Sequence, residues 1–121
     1  MRILLVDDEP EILSVLSKFL SKNGHIPQTT TDPLKVPDLI EAGAFEVIFL
    51  DLMMPQLNGL NLIPLIHKRK PDLPIIVMTA VGDTRIAVHA AREGAVEYLL
   101  KPLEFSKVLD LLKRLEEHSG P

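Results

Sequence analysis

The amino-acid sequence predicts an α/β protein, a doubly wound (βα)5 sandwich with a five-stranded parallel sheet. Three short apolar runs rich in Val, Ile and Leu are typical of strands buried on both faces: residues 3–6, 47–50 and 75–78. Residues 98–100 and the more polar residues 25–31 supply two further strands. A helical pattern follows each strand, which implies right-handed crossovers and helices on both faces of the sheet.

The first half of the chain begins with an amphipathic helix. It is predicted to run from Pro10, which suits a first helical turn, to Asn23-Gly24, a typical helix end. The apolar stripe of this helix comprises Ile12, Leu16, Phe19 and Leu20. The weak strand that follows contains Pro27, which favours the edge of the sheet because proline lacks a backbone donor. Asp32-Pro33 is predicted to cap a second helix, residues 34–42.

Asn58 and Asp83 are predicted to cap the third and fourth helices. The third, fourth and fifth helices are expected at residues 59–70, 84–93 and 104–118. Proline inside a helix removes a hydrogen bond and clashes with the preceding turn. The second helix is therefore expected to be short or broken near Pro37, and the third to be kinked near Pro64.

Polar side chains follow four of the apolar strands. Asp7-Asp8 follows the first strand, Asp51 the third, Thr79 closes the fourth and Lys101 follows the fifth. Ligands of open parallel sheets bind outside the carboxyl ends of the strands. These groups are therefore expected to converge on one pocket that contains three carboxylates, a hydroxyl and an ammonium.

This set of groups suits phosphoryl chemistry. Crowded carboxylates repel each other unless a cation lies among them, and oxygen ligands suit Mg²⁺. Asp51 is the candidate nucleophile, and Asp7 and Asp8 are predicted to hold the metal that Asp51 also contacts. Lys101 is expected to pair with Asp51 and then with a phosphoryl oxygen, to which Thr79 also donates. The carbonyl of Met53 is the nearest backbone candidate for the metal.

Several of these candidate site residues also have a simpler structural interpretation. Asp7 or Asp8 alone could be a helix cap, Thr79 alone an ordinary strand residue, and Lys101 alone a solvated side chain. Tyr98 fits core packing as well as a switching role.

Composition excludes several classes of protein. The chain has 121 residues, enough for one domain. It has no cysteine, which excludes disulfides and thiolate metal sites and fits a cytoplasmic location. The net charge of −4 argues against direct binding of nucleic acid. No apolar run is long enough for a membrane span.

Taken together, the motifs resemble a two-component response regulator receiver domain, which has a flavodoxin-like fold. The matching segments are Asp7-Asp8, FLDLMMPQLNG around Asp51, IIVMTAVGD around Thr79 and GAVEYLLKP, which ends at Lys101-Pro102. The segment from Thr79 to Pro102 most resembles receivers of the nitrogen-regulatory class. The resemblance covers residues 1–118, and residues 119–121 are expected to be a tail or the start of a linker.

The resemblance implies a signalling switch. A histidine kinase or a histidine phosphotransfer protein donates a phosphoryl group to Asp51. Mg²⁺, for which Mn²⁺ can substitute, binds at Asp8, Asp51 and the Met53 carbonyl, with Asp7 acting largely through water. Thr79 and Tyr98 are the switch residues, and the Lys101–Pro102 bond is cis.

The face that changes is formed by the fourth helix, the fifth strand and the fifth helix. It is expected to control an output domain or a partner, or to form a homodimer. Two other functions remain open at this point: an aspartyl-phosphate hydrolase on a related α/β fold, and an inactive interaction module. A methionine two residues after Asp51, where a hydrolase needs a second acid, argues against a turnover enzyme.

Overall fold

The computed structural model describes residues 1–53, 59–80 and 84–119. Its elements alternate as predicted. They are β1 (Arg2–Val6), α1 (Pro10–Lys22), β2 (Ile26–Thr30), a 3-10 turn (Pro33–Lys35), α2 (Val36–Ala42), β3 (Val47–Asp51), α3 (Gly59–Arg69), β4 (Ile75–Ala80), α4 (Thr84–Glu93), β5 (Glu97–Lys101) and α5 (Phe105–Ser119).

The five strands form one parallel sheet in the order β2-β1-β3-β4-β5. This confirms the doubly wound α/β fold. The polar strand β2 lies at one edge, as Pro27 predicted, and β5 lies at the other. The strand order reverses between β1 and β3, which is where ligands bind in such sheets.

Each face of the sheet has its own apolar core. Helices α1 and α5 cover one face, where Leu16 and Leu112 pack with Phe49 of β3. Helices α2, α3 and α4 cover the other face, where Ile40 and Ile63 pack with strand residues such as Leu50. Alternate residues of the central strands therefore point into opposite cores.

The helix boundaries show the effect of local chemistry. Asp32 Oδ1 accepts a hydrogen bond from the Leu34 N–H at 2.9 Å and caps a 3-10 turn. The α-helical part begins only at Val36, so the second helix is short, as predicted from Pro37. The third helix is continuous from Gly59 to Arg69 with Pro64 inside it, and a kink there remains a prediction. The predicted caps Asn58 and Asp83 lie outside the described residues.

The buried face of α1 agrees with the predicted apolar stripe at Leu16 and Leu20 but differs at its other positions. Leu13, Leu16 and Leu20 are the buried residues of the helix, whereas Ile12 and Phe19 are only partly buried. Phe19 instead stacks on Phe105 of α5, with ring centroids 4.3 Å apart. The ring therefore joins the two helices at the edge of their core.

Phe49 offers a direct test of this packing. It is fully buried in the central strand, so Phe49→Ala should lower the free energy of unfolding by about 3–5 kcal/mol in urea melts. Val15→Ala, at an exposed position of α1, should change it by less than about 0.5 kcal/mol. Similar losses for both variants would contradict the assigned core.

Candidate functional site

The carboxyl ends of four strands meet at one edge of the sheet. Asp7 and Asp8 follow β1, Asp51 ends the adjacent strand β3, and Thr79 lies near the end of β4. Lys101 ends the edge strand β5, opposite Ala80 of β4. Its long side chain reaches back across the sheet to β1 and β3. Four of the five predicted polar residues therefore converge, and Thr79 lies near the end of the neighbouring strand β4.

Three carboxylates form the floor of the site. Each of Asp7, Asp8 and Asp51 offers one oxygen, and these three atoms lie within 4.8 Å of one another. Asp7 and Asp51 are buried and Asp8 is half-buried. Packing carboxylates this closely is costly unless positive charge compensates.

Two short loops orient the buried carboxylates. Asp7 Oδ1 accepts a hydrogen bond from the Glu9 N–H at 3.0 Å, and Asp51 Oδ1 accepts one from the Met53 N–H at 3.1 Å. Both bonds span two residues, the pattern of an aspartate that turns its own backbone. In each residue the other oxygen, Oδ2, is left for a partner from elsewhere in the chain.

That partner is Lys101. Its Nζ lies 2.8 Å from Asp7 Oδ2 and donates a hydrogen bond to Asp51 Oδ2 at 3.2 Å. The predicted pair of Lys101 and Asp51 is therefore present, and Asp7 is a second, nearer partner that the sequence did not predict. Asp7 is fully buried in this ion pair, and the expectation that it acts on a metal largely through water remains a prediction.

Burial and the neighbouring groups shift the pKa of both members of the Asp51–Lys101 pair. Burial raises the pKa of Asp51 from about 3.8 to about 6; the Met53 hydrogen bond lowers it, the Asp7 charge raises it, and Lys101 lowers it. Burial alone would lower the pKa of Lys101. The hydrogen bond to Asp7 and the charge of Asp51 outweigh that effect, and the pKa lies above its usual value.

Thr79 contributes a buried hydroxyl. The residue is almost fully buried, and its Oγ1 has no hydrogen-bond partner among the described residues. A buried polar atom without a partner costs stability. Thr79 follows Met78, which pairs with Asp51 across the sheet, and this position fits a donor kept for an oxygen that arrives with a ligand.

The donor set fits Mg²⁺. All three candidate ligands are carboxylates, the hard oxygen donors that this ion prefers, and their net charge exceeds that of the single ammonium. Met53 contacts Asp51 through its N–H, and its carbonyl as a ligand remains a prediction. The Lys101–Pro102 bond is cis, in agreement with the expectation.

Two further residues need separate comment. Tyr98 has a side chain that is 46% exposed and borders a surface cavity of about 600 Å³ between β5 and α5. Glu9 was not singled out from the sequence, yet its Oε1 lies 3.7 Å from Lys101 Nζ. Its place directly after Asp7-Asp8 was the only sequence signal for this contact.

A doubly wound sheet with an acidic pocket and a lysine at its carboxyl edge defines a class of phosphoryl-handling α/β domains. The family model described as "Response regulator receiver domain" matches residues 3–113. The chain therefore belongs to the response regulator receiver domains, the phosphorylation-activated switches of two-component systems.

Relatives of the nitrogen-regulatory class are prominent. The DNA-binding transcriptional regulator NtrC of Azospirillum brasilense is 39% identical over 119 residues, which cover 98% of this chain and 25% of that protein. NtrC of Rhizobium meliloti is 34% identical over 112 residues, covering 93% and 23%. The chain thus spans about a quarter of the length of these curated relatives.

Solved structures agree. The receiver domain of NtrX from Brucella abortus has a TM-score of 0.90 at 33% identity, covering 97% of this chain and 99% of that one. A beryllofluoride-activated NtrC4 receiver domain dimer has a TM-score of 0.90 at 39% identity, covering 98% of each chain. Within the described residues, no helix is long and apolar enough to cross a membrane.

The raised pKa of Asp51 predicts how stability depends on pH in the metal-free protein. Asp51 binds its proton more tightly in the folded state, so its contribution to stability is full below about pH 4 and is lost as the pH rises through about 6. The predicted quantity is the unfolding free energy of the wild type minus that of Asp51→Asn, both measured in EDTA. This difference should fall by about 1–3 kcal/mol from about pH 4 to pH 7.

The exposed Asp72 provides the control. The difference in unfolding free energy between the wild type and Asp72→Asn should change little over the same pH range. Urea melts at each pH measure both differences. A constant or rising difference for Asp51→Asn would show that burial does not govern the charge of Asp51.

Proposed function

We propose that Asp51 accepts a phosphoryl group from a phosphohistidine of a sensor kinase or a histidine phosphotransfer protein. The observation that carries this proposal is the ion pair that Lys101 shares with Asp51 and Asp7. Thr79 lies near the end of the neighbouring strand, and its hydroxyl has no partner within the described part of the chain. Of the predicted carboxylates, Asp51 combines a place on the central strand with a hydrogen bond to an ammonium.

The reaction requires no general base. An oxygen of the Asp51 carboxylate attacks phosphorus, the phosphorus–nitrogen bond breaks, and the leaving imidazole keeps the electron pair and takes a proton from water. Asp51 is ionised above its pKa of about 6, so at neutral pH it is ready to attack. Asp7, Asp8, Asp51 and the Met53 carbonyl would hold Mg²⁺, or Mn²⁺ in its place, and the bound ion would stabilise negative charge on the transferred group.

Lys101 and Thr79 receive the product. Once Asp51 becomes an acyl phosphate, the negative charge lies on the phosphoryl oxygens, so the ammonium of Lys101 is drawn to one of them. The Thr79 hydroxyl, which has no partner among the described residues, donates to another oxygen. Its movement toward the phosphoryl group would be the first step of the switch.

The signal is expected to leave through α4, β5 and α5. Thr79 is the penultimate residue of β4, and β5 carries both Lys101 and the half-exposed Tyr98. We propose that Tyr98 rotates inward as Thr79 moves, which remodels this face for an output domain or a second copy. The similar structure of a beryllofluoride-activated NtrC4 receiver domain dimer supports a second copy as the partner.

The chain is thus proposed to act in the cytoplasm as a switch that catalyses its own phosphorylation and slow dephosphorylation. It is not proposed to turn over substrates or to contact nucleic acid itself. The apolar, exposed Met53 beside Asp51 supports slow hydrolysis, because a thioether cannot activate water.

Phosphorylation of Asp51 can be tested by mass. With Mg²⁺ and acetyl phosphate, the wild type and Asp72→Asn should gain one phosphoryl group in intact mass spectrometry, because both retain the pocket. Asp51→Asn should gain none. A phosphoryl group on Asp51→Asn would assign the acceptor to another residue.

The output face can be tested without phosphorylation. Beryllium fluoride with Mg²⁺ should shift amide resonances of α4, β5 and α5 more than those of α2, which packs away from Tyr98. The weight-average mass in analytical ultracentrifugation should also rise toward that of a dimer. Shifts confined to the pocket loops would contradict the coupling, and a persistent monomer would contradict only the dimer.

A further inference from the structure

Glu9 occupies the start of α1 without capping it. Its backbone has the extended conformation of an N-cap, with φ −100° and ψ 102°, but its side chain makes no cap hydrogen bond. Ser, Thr, Asp and Asn are the residues that stabilise this position, typically by about 1 kcal/mol over a residue that cannot cap. The glutamate side chain is instead directed toward Lys101, with 3.7 Å between Oε1 and Nζ.

Lys101 is therefore shared among three carboxylates of different burial. Asp7 and Asp51 hold its ammonium from below at 2.8 and 3.2 Å, and their side chains are nearly inaccessible to solvent. Glu9 approaches from the rim, with a side chain that is 60% exposed. The ammonium thus has two buried partners on the floor of the pocket and one at its mouth.

Both buried partners are also candidate ligands of the divalent cation. A cation at these carboxylates competes with the ammonium for Asp7 and Asp51 and repels it. An ammonium that leaves them must find another negative group or become solvated, and Glu9 is already within reach. It lies on the solvent side, where a phosphoryl donor must enter.

We propose that Glu9 is a positioning residue that holds the Lys101 ammonium at the mouth of the pocket when Asp7 and Asp51 engage a divalent cation. This inference rests on the proposed function, because it concerns the same pocket. Glu9 does not touch the transferred group. It reduces the penalty for displacing Lys101, and it keeps the ammonium where an incoming phosphoryl oxygen can meet it.

Two substitutions of Glu9 separate contact from charge. Glu9→Gln removes the charge, whereas Glu9→Asp keeps the charge and shortens the side chain by one methylene, so that its carboxylate no longer reaches Lys101. The matched control is Glu11→Gln, an equal change of charge at an exposed position in the first turn of the same helix. Melting temperatures establish that all three variants fold.

The first measurement is Mg²⁺ affinity by calorimetry. Exposed ion pairs contribute about 0.2–1 kcal/mol, so both Glu9 variants should bind Mg²⁺ about two- to five-fold more weakly than wild type. Glu11→Gln should change the affinity by less than about 1.5-fold, because its charge lies outside the contact.

The second measurement follows Lys101 directly by ¹⁵N NMR of its ammonium, assigned with Lys101→Met. With Mg²⁺ bound, the ammonium protons should remain observable in wild type and in Glu11→Gln. They should exchange several-fold faster with water in both Glu9 variants, since the displaced ammonium then lacks its partner.

The outcomes distinguish this inference from the proposed function. If Glu9→Asp matches wild type in both measurements, only net charge matters and the positioning role is wrong. It is equally wrong if both Glu9 variants match Glu11→Gln. If wild type binds no Mg²⁺, the proposed function fails together with this inference.

Discussion

A single ammonium group balances carboxylates that the fold forces together. The parallel sheet brings the carboxyl ends of β1 and β3 side by side, so Asp7 and Asp51 are buried as neighbours and Asp8 lies within reach of both. Lys101 from the far edge of the sheet contacts both buried acids. One positive charge leaves the cluster negative, and the proposed divalent cation would compensate this residual charge and screen an incoming phosphoryl group from it.

The same balance offers a route by which the proposed phosphorylation would change the shape of the domain. Lys101 and Tyr98 belong to one edge strand, which pairs with the strand that carries Thr79. Any event that draws Lys101 away from Asp7 or moves Thr79 therefore acts on β5 and on the helices beside it. In this account the sheet edge serves as both the pocket wall and the output surface, and no separate relay is needed.

Much of this site was predictable because strand ends are visible in sequence. The runs before Asp7, Asp51 and Lys101 are continuous and apolar, and a parallel sheet necessarily brings their ends together. Pro27 and Pro37 were also informative, since proline acts locally through its missing donor and fixed backbone.

The details of the pairing were not predictable in this way. Whether Lys101 reaches Asp7 or Asp51 depends on side-chain rotamers and on hydrogen bonds that turn each carboxylate, such as that from Glu9 N–H to Asp7. The contact of Glu9 with Lys101 joins residues 92 positions apart by number, and no local pattern encodes it. The stripe of α1 was shifted because neighbouring Ile12 and Leu13 are equally apolar and only packing chooses between them.

The most direct test of the central claim uses Asp8, the half-buried acid that is not paired with Lys101 in the described contacts. If the cluster is a repulsive site that needs a cation, Asp8→Ala should abolish Mg²⁺ binding in calorimetry. In EDTA its melting temperature should equal or exceed that of wild type, because one repelling charge is gone. A variant that still binds Mg²⁺ with wild-type affinity, or that melts well below wild type in EDTA, would contradict the account and identify Asp8 as a structural residue.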